Sequence, residues 1–327
     1  MKTQLKNNIV MLTGCAINKD MYYMSCSFND FSIDEPYSRL FFYQHKTKDK
    51  WFYHDRPEWR VTSTCFQPAT LDRSRTVYAL SEEGDIEILS REETLVEKIK
   101  DAGLLPTSKF YGYVNKIKHI DGELYVCGHQ CQVYKKTSAN WEHIDQEILQ
   151  SNPSLLEAEN LTLEEQVKLY IHDAISLLDI SGNSGKDLYT VGTSGFIAHY
   201  DGILWENLKK ITAADLHAIY IDKNNIAWIV GSQGTILTGD HINGFKVIMR
   251  KELYIDFNAI TEFNGSFYIA ASDGIYRMSD LKIEKEPIAA QDVSSIDSTD
   301  GVLWALSAYK LMRFDGSLWE EFRHIDN

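Results

Sequence analysis

The sequence predicts an all-β protein that folds as a single seven-bladed β-propeller of four-stranded antiparallel blades. An apolar strand followed by a short turn recurs six times, and the central aromatic residues of these strands lie 36 to 64 residues apart. A polar residue two positions before an aliphatic one marks a further strand ahead of most copies. Four strands repeating about every 40 residues are typical of a propeller blade.

The recurring strand forms the first half of a β-hairpin. Its copies are residues 77–81, 124–128, 188–192, 227–231, 267–271 and 303–307. A glycine closes the following turn in four copies, since glycine adopts a positive φ at little cost; Cys131 and Lys310 replace it in the others. Asp201-Gly202 and Asp315-Gly316 then mark the turn into an outer strand, which begins at a tryptophan.

A divergent first blade fits upstream of these copies. Apolar segments at 9–17, 21–28, 39–45 and 50–55 supply its four strands, so that seven blades account for residues 1–327 as one domain. A β-sandwich would not produce six matched copies, and a parallel β-helix would need shorter repeats. Six or eight blades remain open, because the first two units are irregular.

The longest spacing, 64 residues, indicates an insertion at about 146–172 between the third and fourth blades. Thr162 and Glu165 form a capping box, which predicts a short helix. The segment is acidic and should overhang the mouth of the central channel. It is either a lid or docking arm for a partner or a tolerated surface insertion. The acidic binding candidates are Glu157, Glu159, Glu164 and Glu165.

One repeat position places polar residues where each innermost strand begins. We expect them to form a ring at the channel mouth, where they bind a ligand or cap neighbouring backbone groups. The ring consists of Asn115, Asp173, His217, Asn258 and Ser294. The aspartates two residues ahead of three of them, Asp215, Asp256 and Asp292, are predicted to be structural, since aspartate favours turns.

The aromatic-Val-Gly pattern and the later Asp-Gly-x-x-Trp turns resemble those of bacterial propellers related to the Asp-box and two-component-regulator repeat groups. Residues 191–192 and 230–231 carry Val-Gly, and Trp205 and Trp319 end the two turns. The likeness is clearest from 173 to 322. Complete Asp-box turns are absent. The resemblance implies the fold and supplies no catalytic residue.

Charge and cysteine usage narrow the classes of partner. The net charge of −14 disfavours nucleic acid and anionic membrane surfaces, and it favours a basic protein partner, although acidity also serves solubility. Five cysteines without framework spacing and a short N-terminal apolar patch predict a reduced, cytoplasmic protein without disulfides. We also expect the protein to be a monomer on its own.

Signatures of catalysis and of cofactor binding are absent from the sequence. It contains no glycine-rich phosphate loop, no His-Glu-x-x-His and no Gly-x-Ser-x-Gly. Cys127, His129 and Cys131 have the wrong spacing for a zinc knuckle and lie in a predicted tight turn. We therefore predict no metal, no cofactor and no catalytic residue.

Three function classes remain. The first is a non-enzymatic protein-binding propeller, for example an immunity or antitoxin-like protein that neutralises a basic toxin. The second is a hydrolase or lyase acting on a sugar or cyclic ligand at the channel mouth, with His217 and Asp173 as acid/base candidates by position. The third is a scaffold subunit of a multiprotein complex. The sequence favours the first class.

Overall fold

Seven four-stranded antiparallel sheets surround a central channel, which confirms the predicted propeller and its number of blades. The computed structural model describes residues 8–30, 35–138, 140–150, 162, 174–250 and 255–327. Most of the predicted helical insertion, including the segment after Thr162, lies outside the described residues.

Each blade is built from four consecutive strands, with the first strand innermost. Blades 1 and 2 comprise β1 (Ile9–Asn18), β2 (Met21–Phe28), β3 (Tyr37–Gln44), β4 (Trp51–Pro57), β5 (Val61–Gln67), β6 (Thr76–Ser81), β7 (Asp85–Leu89) and β8 (Thr94–Lys98). Blades 3 and 4 comprise β9 (Val114–Ile120), β10 (Glu123–Gly128), β11 (Val133–Lys136), β12 (Trp141–His143), β13 (Leu177–Ser184), β14 (Asp187–Gly192), β15 (Ile197–Tyr200) and β16 (Trp205–Asn207).

The remaining three blades follow the same plan. Blades 5 and 6 comprise β17 (Leu216–Ile221), β18 (Ala227–Gly231), β19 (Thr235–Asp240), β20 (Gly244–Arg250), β21 (Phe257–Phe263), β22 (Ser266–Ala271), β23 (Gly274–Ser279) and β24 (Lys282–Lys285). Blade 7 comprises β25 (Val293–Thr299), β26 (Val302–Ser307), β27 (Lys310–Phe314) and β28 (Trp319–Phe322).

The hydrophobic core lies between neighbouring blades. Side chains alternate along a strand, so each sheet can present apolar residues to the blades on both sides. The second strands are almost wholly buried, and Tyr125, Tyr189 and Trp304 are among the largest fully buried side chains. Trp228, the central aromatic of blade 5, is only half-buried.

Helical structure in the described residues is confined to two short 3₁₀ turns, Thr193–Gly195 and Ser232–Gly234. Both contain two successive residues of positive φ, such as Ser194 at 56° and Gly195 at 74°. No described helix has the length and apolar character needed to cross a membrane.

Candidate functional site

The face that bears the turns at Gly84, Gly195, Gly234 and Gly274 is called here the glycine-turn face. Each innermost strand begins at this face, and each outermost strand ends at it. The described members of the predicted polar ring and the described start of the insertion, residues 146–150, belong to it. The other face carries the turns between the first and second strands and is called the opposite face.

The predicted ring residues occupy a β-bulge. Asn115, His217, Asn258 and Ser294 are each the second residue of an innermost strand, and each is the extra residue that the register skips. Asp173 lies outside the described residues. The corresponding bulge position of blade 4 is Leu178.

Most of these side chains bond to the next blade. Three amide or hydroxyl groups donate to the first residue of the next innermost strand: Asn115 to Leu177 (2.8 Å), Asn258 to Val293 (2.9 Å) and Thr62, which occupies the same position in blade 2, to Val114 (3.1 Å). Ser294 instead faces the carbonyl of Leu306 in its own blade, at 3.5 Å. The ring residues therefore contribute contacts that hold the blades in register.

Both imidazole nitrogens of His217 have partners. Nδ1 lies 3.0 Å from the carbonyl oxygen of Phe257, which can only accept, so Nδ1 carries the proton. Nε2 lies 3.2 Å from the hydroxyl of Ser232, and in this tautomer it accepts. The Nε2 lone pair is therefore directed at the Ser232 hydroxyl.

The aspartates ahead of the ring brace the turns of the preceding blade. Asp215 accepts the N–H of Ser194 at 2.7 Å, and Asp256 accepts that of Gln233 at 3.2 Å. Each carboxylate thus holds the backbone of a 3₁₀ turn whose residues have left-handed φ values.

The central channel forms a cavity of about 410 Å³ lined by the innermost strands of all seven blades. Its charged side chains are Lys116 and Lys118 from β9, Asp179 from β13 and Asp297 from β25. Lys118 Nζ lies 3.4 Å from Asp179 Oδ1. Backbone N–H groups of one blade donate to polar side chains of the preceding blade: Ile117 to Ser63 (3.2 Å), Ile219 to Asp179 (3.0 Å) and Ala16 to Asp297 (3.2 Å).

Burial controls ionisation in the channel wall and around it. Desolvation raises the pKa of Asp297 above its usual range, although Lys116 and Lys118 oppose the shift. It likewise raises the pKa of the Cys65 thiol to about 12. All five cysteines are buried and free of disulfides, so their thiols lack the lowered pKa of a nucleophile.

An exposed apolar loop is the feature of the glycine-turn face that the sequence analysis missed. Residues 99–113, called here the apolar loop, join β8 to β9. Four large side chains of this loop are 38 to 46 % exposed: Leu104, Leu105, Phe110 and Tyr113. The sequence signal was the spacing of 47 residues between Tyr78 and Tyr125, against 36 to 40 in the later blades.

Backbone contacts hold the apolar loop in one conformation. Gly103 N–H donates to the Gly112 carbonyl at 2.9 Å, which closes the loop at its base. Leu104 N–H donates to Glu83 Oε2 at 2.9 Å, and the fully buried Gln132 donates to the Gly112 carbonyl at 3.0 Å. The exposed apolar side chains therefore stand on an ordered backbone.

The described start of the insertion packs onto blades 3 and 4. Asp145 is buried, accepting the N–H of Val133 at 2.5 Å, and Glu147 accepts that of Trp205 at 3.1 Å. These two acids are consequently structural. The acidic binding candidates of the sequence analysis, Glu157, Glu159, Glu164 and Glu165, lie outside the described residues, so their binding role stays a prediction.

Two groups of potential metal ligands can be compared. Cys127 and Cys131 flank a tight turn in which Gln130 and Cys131 have positive φ, and burial raises the pKa of both thiols. Among the described residues, one group brings three candidate ligands within 4.8 Å of one another, and it lies on the opposite face: Asp187, His199 and His241.

Two solved structures with the same fold hold a peptide or part of a protein. The structure titled YCF48 bound to D1 peptide superposes with a TM-score of 0.63 at 14 % identity, covering 96 % of this chain and 94 % of that one. Chaetomium thermophilum Sqt1 bound to the N-terminus of ribosomal protein L10 gives a TM-score of 0.62 at 10 % identity, covering 98 % and 89 %. At these identities the likeness shows the fold.

A curated relative is more similar in sequence. Immune protein Tsi7 of Pseudomonas aeruginosa is 26 % identical over 214 residues, which cover 64 % of this chain. The chain spans 63 % of the length of that relative. No family model matches the chain.

Proposed function

We propose that this chain is an immunity-like protein that binds a protein toxin and neutralises it without catalysing a reaction. The observation that carries the proposal is the 26 % identity to an immune protein over 214 residues. The aromatic-Val-Gly repeat supports a bacterial propeller related to the Asp-box and two-component-regulator groups. Peptide and protein complexes of other propellers support a binding role for the fold.

The apolar loop is proposed as the centre of the toxin-binding surface. Interface energy concentrates in a few well-packed apolar or aromatic side chains, and an ordered backbone lowers the entropy lost on binding. Four large apolar side chains project from this one loop, whereas the exposed apolar residues of the opposite face, such as Ile203 and Leu318, belong to separate turns.

Charge supports a basic toxin. The chain carries a net charge of −14, and Glu83 and Asp101 lie beside or within the apolar loop. Negative potential accelerates encounter with a basic protein, and salt screens the attraction. We propose that the protein is a monomer and binds its toxin in the cytoplasm. The acidic insertion would extend the toxin-binding surface around the apolar loop.

Growth rescue tests the proposal. The protein encoded directly beside the gene of this chain is expressed in a host that lacks the chain, with and without its co-expression. We expect growth arrest by the neighbouring protein alone and restored growth when the chain is present. A harmless neighbouring protein, or arrest that the chain does not relieve, would contradict immunity. Binding without rescue would favour the scaffold function.

Matched variants test the surface. Leu105→Asp places a charge in the apolar loop and should abolish rescue and weaken binding at least tenfold, because a carboxylate at an apolar interface loses its hydration. Ile203→Asp on the opposite face, where the side chain is 77 % exposed, should leave both unchanged. Equal loss in both variants, or in neither, would place the interface elsewhere.

A further inference from the structure

Three side chains of blades 4 and 5 meet on the opposite face, remote from the apolar loop. Asp187 begins β14, and His199 lies on the neighbouring strand β15. Tyr189 pairs with His199, so that Asp187, two residues earlier, shares their side of the sheet. His241 directly follows β19 of blade 5.

The ligand-capable atoms of these three residues are already convergent. His199 Nε2 lies 2.8 Å from Asp187 Oδ1. The rings of His199 and His241 stack with centroids 3.7 Å apart and planes 4° apart. All three residues offer a ligand atom within 4.8 Å of the other two. Two imidazoles and one carboxylate form a donor set typical of zinc, with the fourth position open to water.

Surrounding groups orient the ligands, as at known metal centres. The Tyr189 hydroxyl lies 2.7 Å from His241 Nδ1, which leaves Nε2 as the nitrogen able to ligate. Asn225 of blade 5 donates to Asp187 Oδ2 at 2.9 Å, so Oδ1 is the available oxygen. His199 is buried and Asp187 is half-buried, which limits competition from water.

A bound cation would account for features that a hydrogen bond alone does not require. The His199–Asp187 pair is complete without a second imidazole, yet His241 is stacked on it and held by Tyr189. In a tetrahedral zinc site the ligand atoms lie roughly 3.3 Å apart, so the group must contract. His241 lies in the turn directly after β19, so it is the ligand that would shift toward the other two.

We propose that Asp187, His199 and His241 bind Zn²⁺ or a similar divalent transition-metal ion between blades 4 and 5. The ion displaces the hydrogen bond between His199 and Asp187 and adds a further link between two sheets that already share hydrogen bonds.

Metal titration tests the site. The chain is stripped with a chelator and titrated with ZnCl₂ in a calorimeter, and with CoCl₂ while visible absorption is recorded. We expect one Zn²⁺ per chain, a rise in Tm on binding and a tetrahedral cobalt spectrum. His241→Gln should lower the affinity at least tenfold and remove both the Tm rise and the spectrum.

Two further variants complete the test. Tyr189→Phe keeps the ligands and removes their orienting hydroxyl, so it should weaken binding about tenfold. His54→Gln, which alters a histidine paired with Glu87 in another part of the molecule, should bind as the unaltered chain does. Absence of Zn²⁺ binding, or a cobalt spectrum that survives His241→Gln, would overturn the proposal.

Discussion

The imidazole of His143 lies between two carboxylates, 3.0 Å from Asp145 and 3.4 Å from Asp101. Burial lowers the pKa of His143, but the hydrogen bond and charge of Asp145, together with the charge of Asp101, outweigh it, so the net shift is upward. His324 shows the reverse balance, because burial lowers its pKa more than Asp326 raises it.

These opposite shifts predict opposite pH dependences. A histidine with a raised folded-state pKa stabilises the fold fully below its unfolded pKa of about 6.5, and that contribution is lost as the pH rises through the folded-state pKa. The stability difference between the unaltered chain and His143→Gln should therefore be largest in acid and shrink above neutrality. Urea unfolding from pH 5.5 to 8.5 measures it.

His324→Gln is the control with the opposite sign. Protonating a histidine whose folded-state pKa is lowered costs stability, so the unaltered chain should lose stability relative to His324→Gln as the pH falls below about 6.5. A pH-independent difference for His143→Gln would show that Asp145 and Asp101 do not determine its ionisation.

At the scale of single elements, the 3₁₀ turn of blade 4 depends on Gly195. Its φ is 74°, and an added Cβ would lie 2.0 Å from the carbonyl oxygen of Thr212. Gly122, in the hairpin between β9 and β10, has a similar φ of 83° with nothing within 4 Å of an added Cβ. A side chain at Gly122 would therefore cause backbone strain alone, whereas a side chain at Gly195 would cause backbone strain and a steric clash.

Alanine at the two glycines tests that distinction. Gly122→Ala should cost about 1–2 kcal/mol, the price of a left-handed residue with a side chain. Gly195→Ala should cost clearly more, because the backbone of Thr212 must also move. The free energy of unfolding in urea measures both. Equal losses of stability in the two variants would show that the backbone at Thr212 can move away from the new side chain without an energetic penalty.

At the scale of the whole molecule, the propeller closes where blade 7 packs against blade 1. Every blade is made of consecutive strands, so among the described residues no shared strand joins the two ends. One apolar cluster spans this boundary instead, and its centre is Trp304, which is fully buried. The Trp304 indole N–H donates to the Asn18 carbonyl at 3.0 Å, and its ring lies 5.7 Å from that of Tyr22.

Removing the Trp304 side chain should weaken the packing between blades 7 and 1. Trp304→Ala should destabilise the chain by about 3–5 kcal/mol, since it leaves a large cavity and removes the indole hydrogen bond to the Asn18 carbonyl. Trp319→Ala, which removes a half-buried ring stacked on Phe314 within blade 7, should cost less. Thermal unfolding compares the two. A smaller loss for Trp304→Ala would mean that the boundary is held by other contacts.

Much of the propeller was predictable because each blade repeats the same short sequence patterns. The predicted first blade at 9–17, 21–28, 39–45 and 50–55 matches β1 to β4 within two residues at every end, and the second-strand copies match all six later blades. Blade 4 shows the limit of such patterns. The polar–aliphatic motif was assigned to Asp173, but the bulge of β13 lies at Leu178, since the insertion disturbs the spacing.

The amino-acid sequence by itself determined the strands and the glycine-closed turns, since alternation and left-handed φ act over a few residues. It favoured seven blades but left six or eight open, and the structure fixed the number at seven. Only the tertiary structure decided which contacts those elements make with other blades and with solvent. Ring closure directs Asn115 and Asn258 to carbonyls of the next blade, exposes Leu104 and Leu105 on a pinned loop, and brings His241 onto His199 from another blade. Such contacts depend on how sheets pack, which no local pattern encodes.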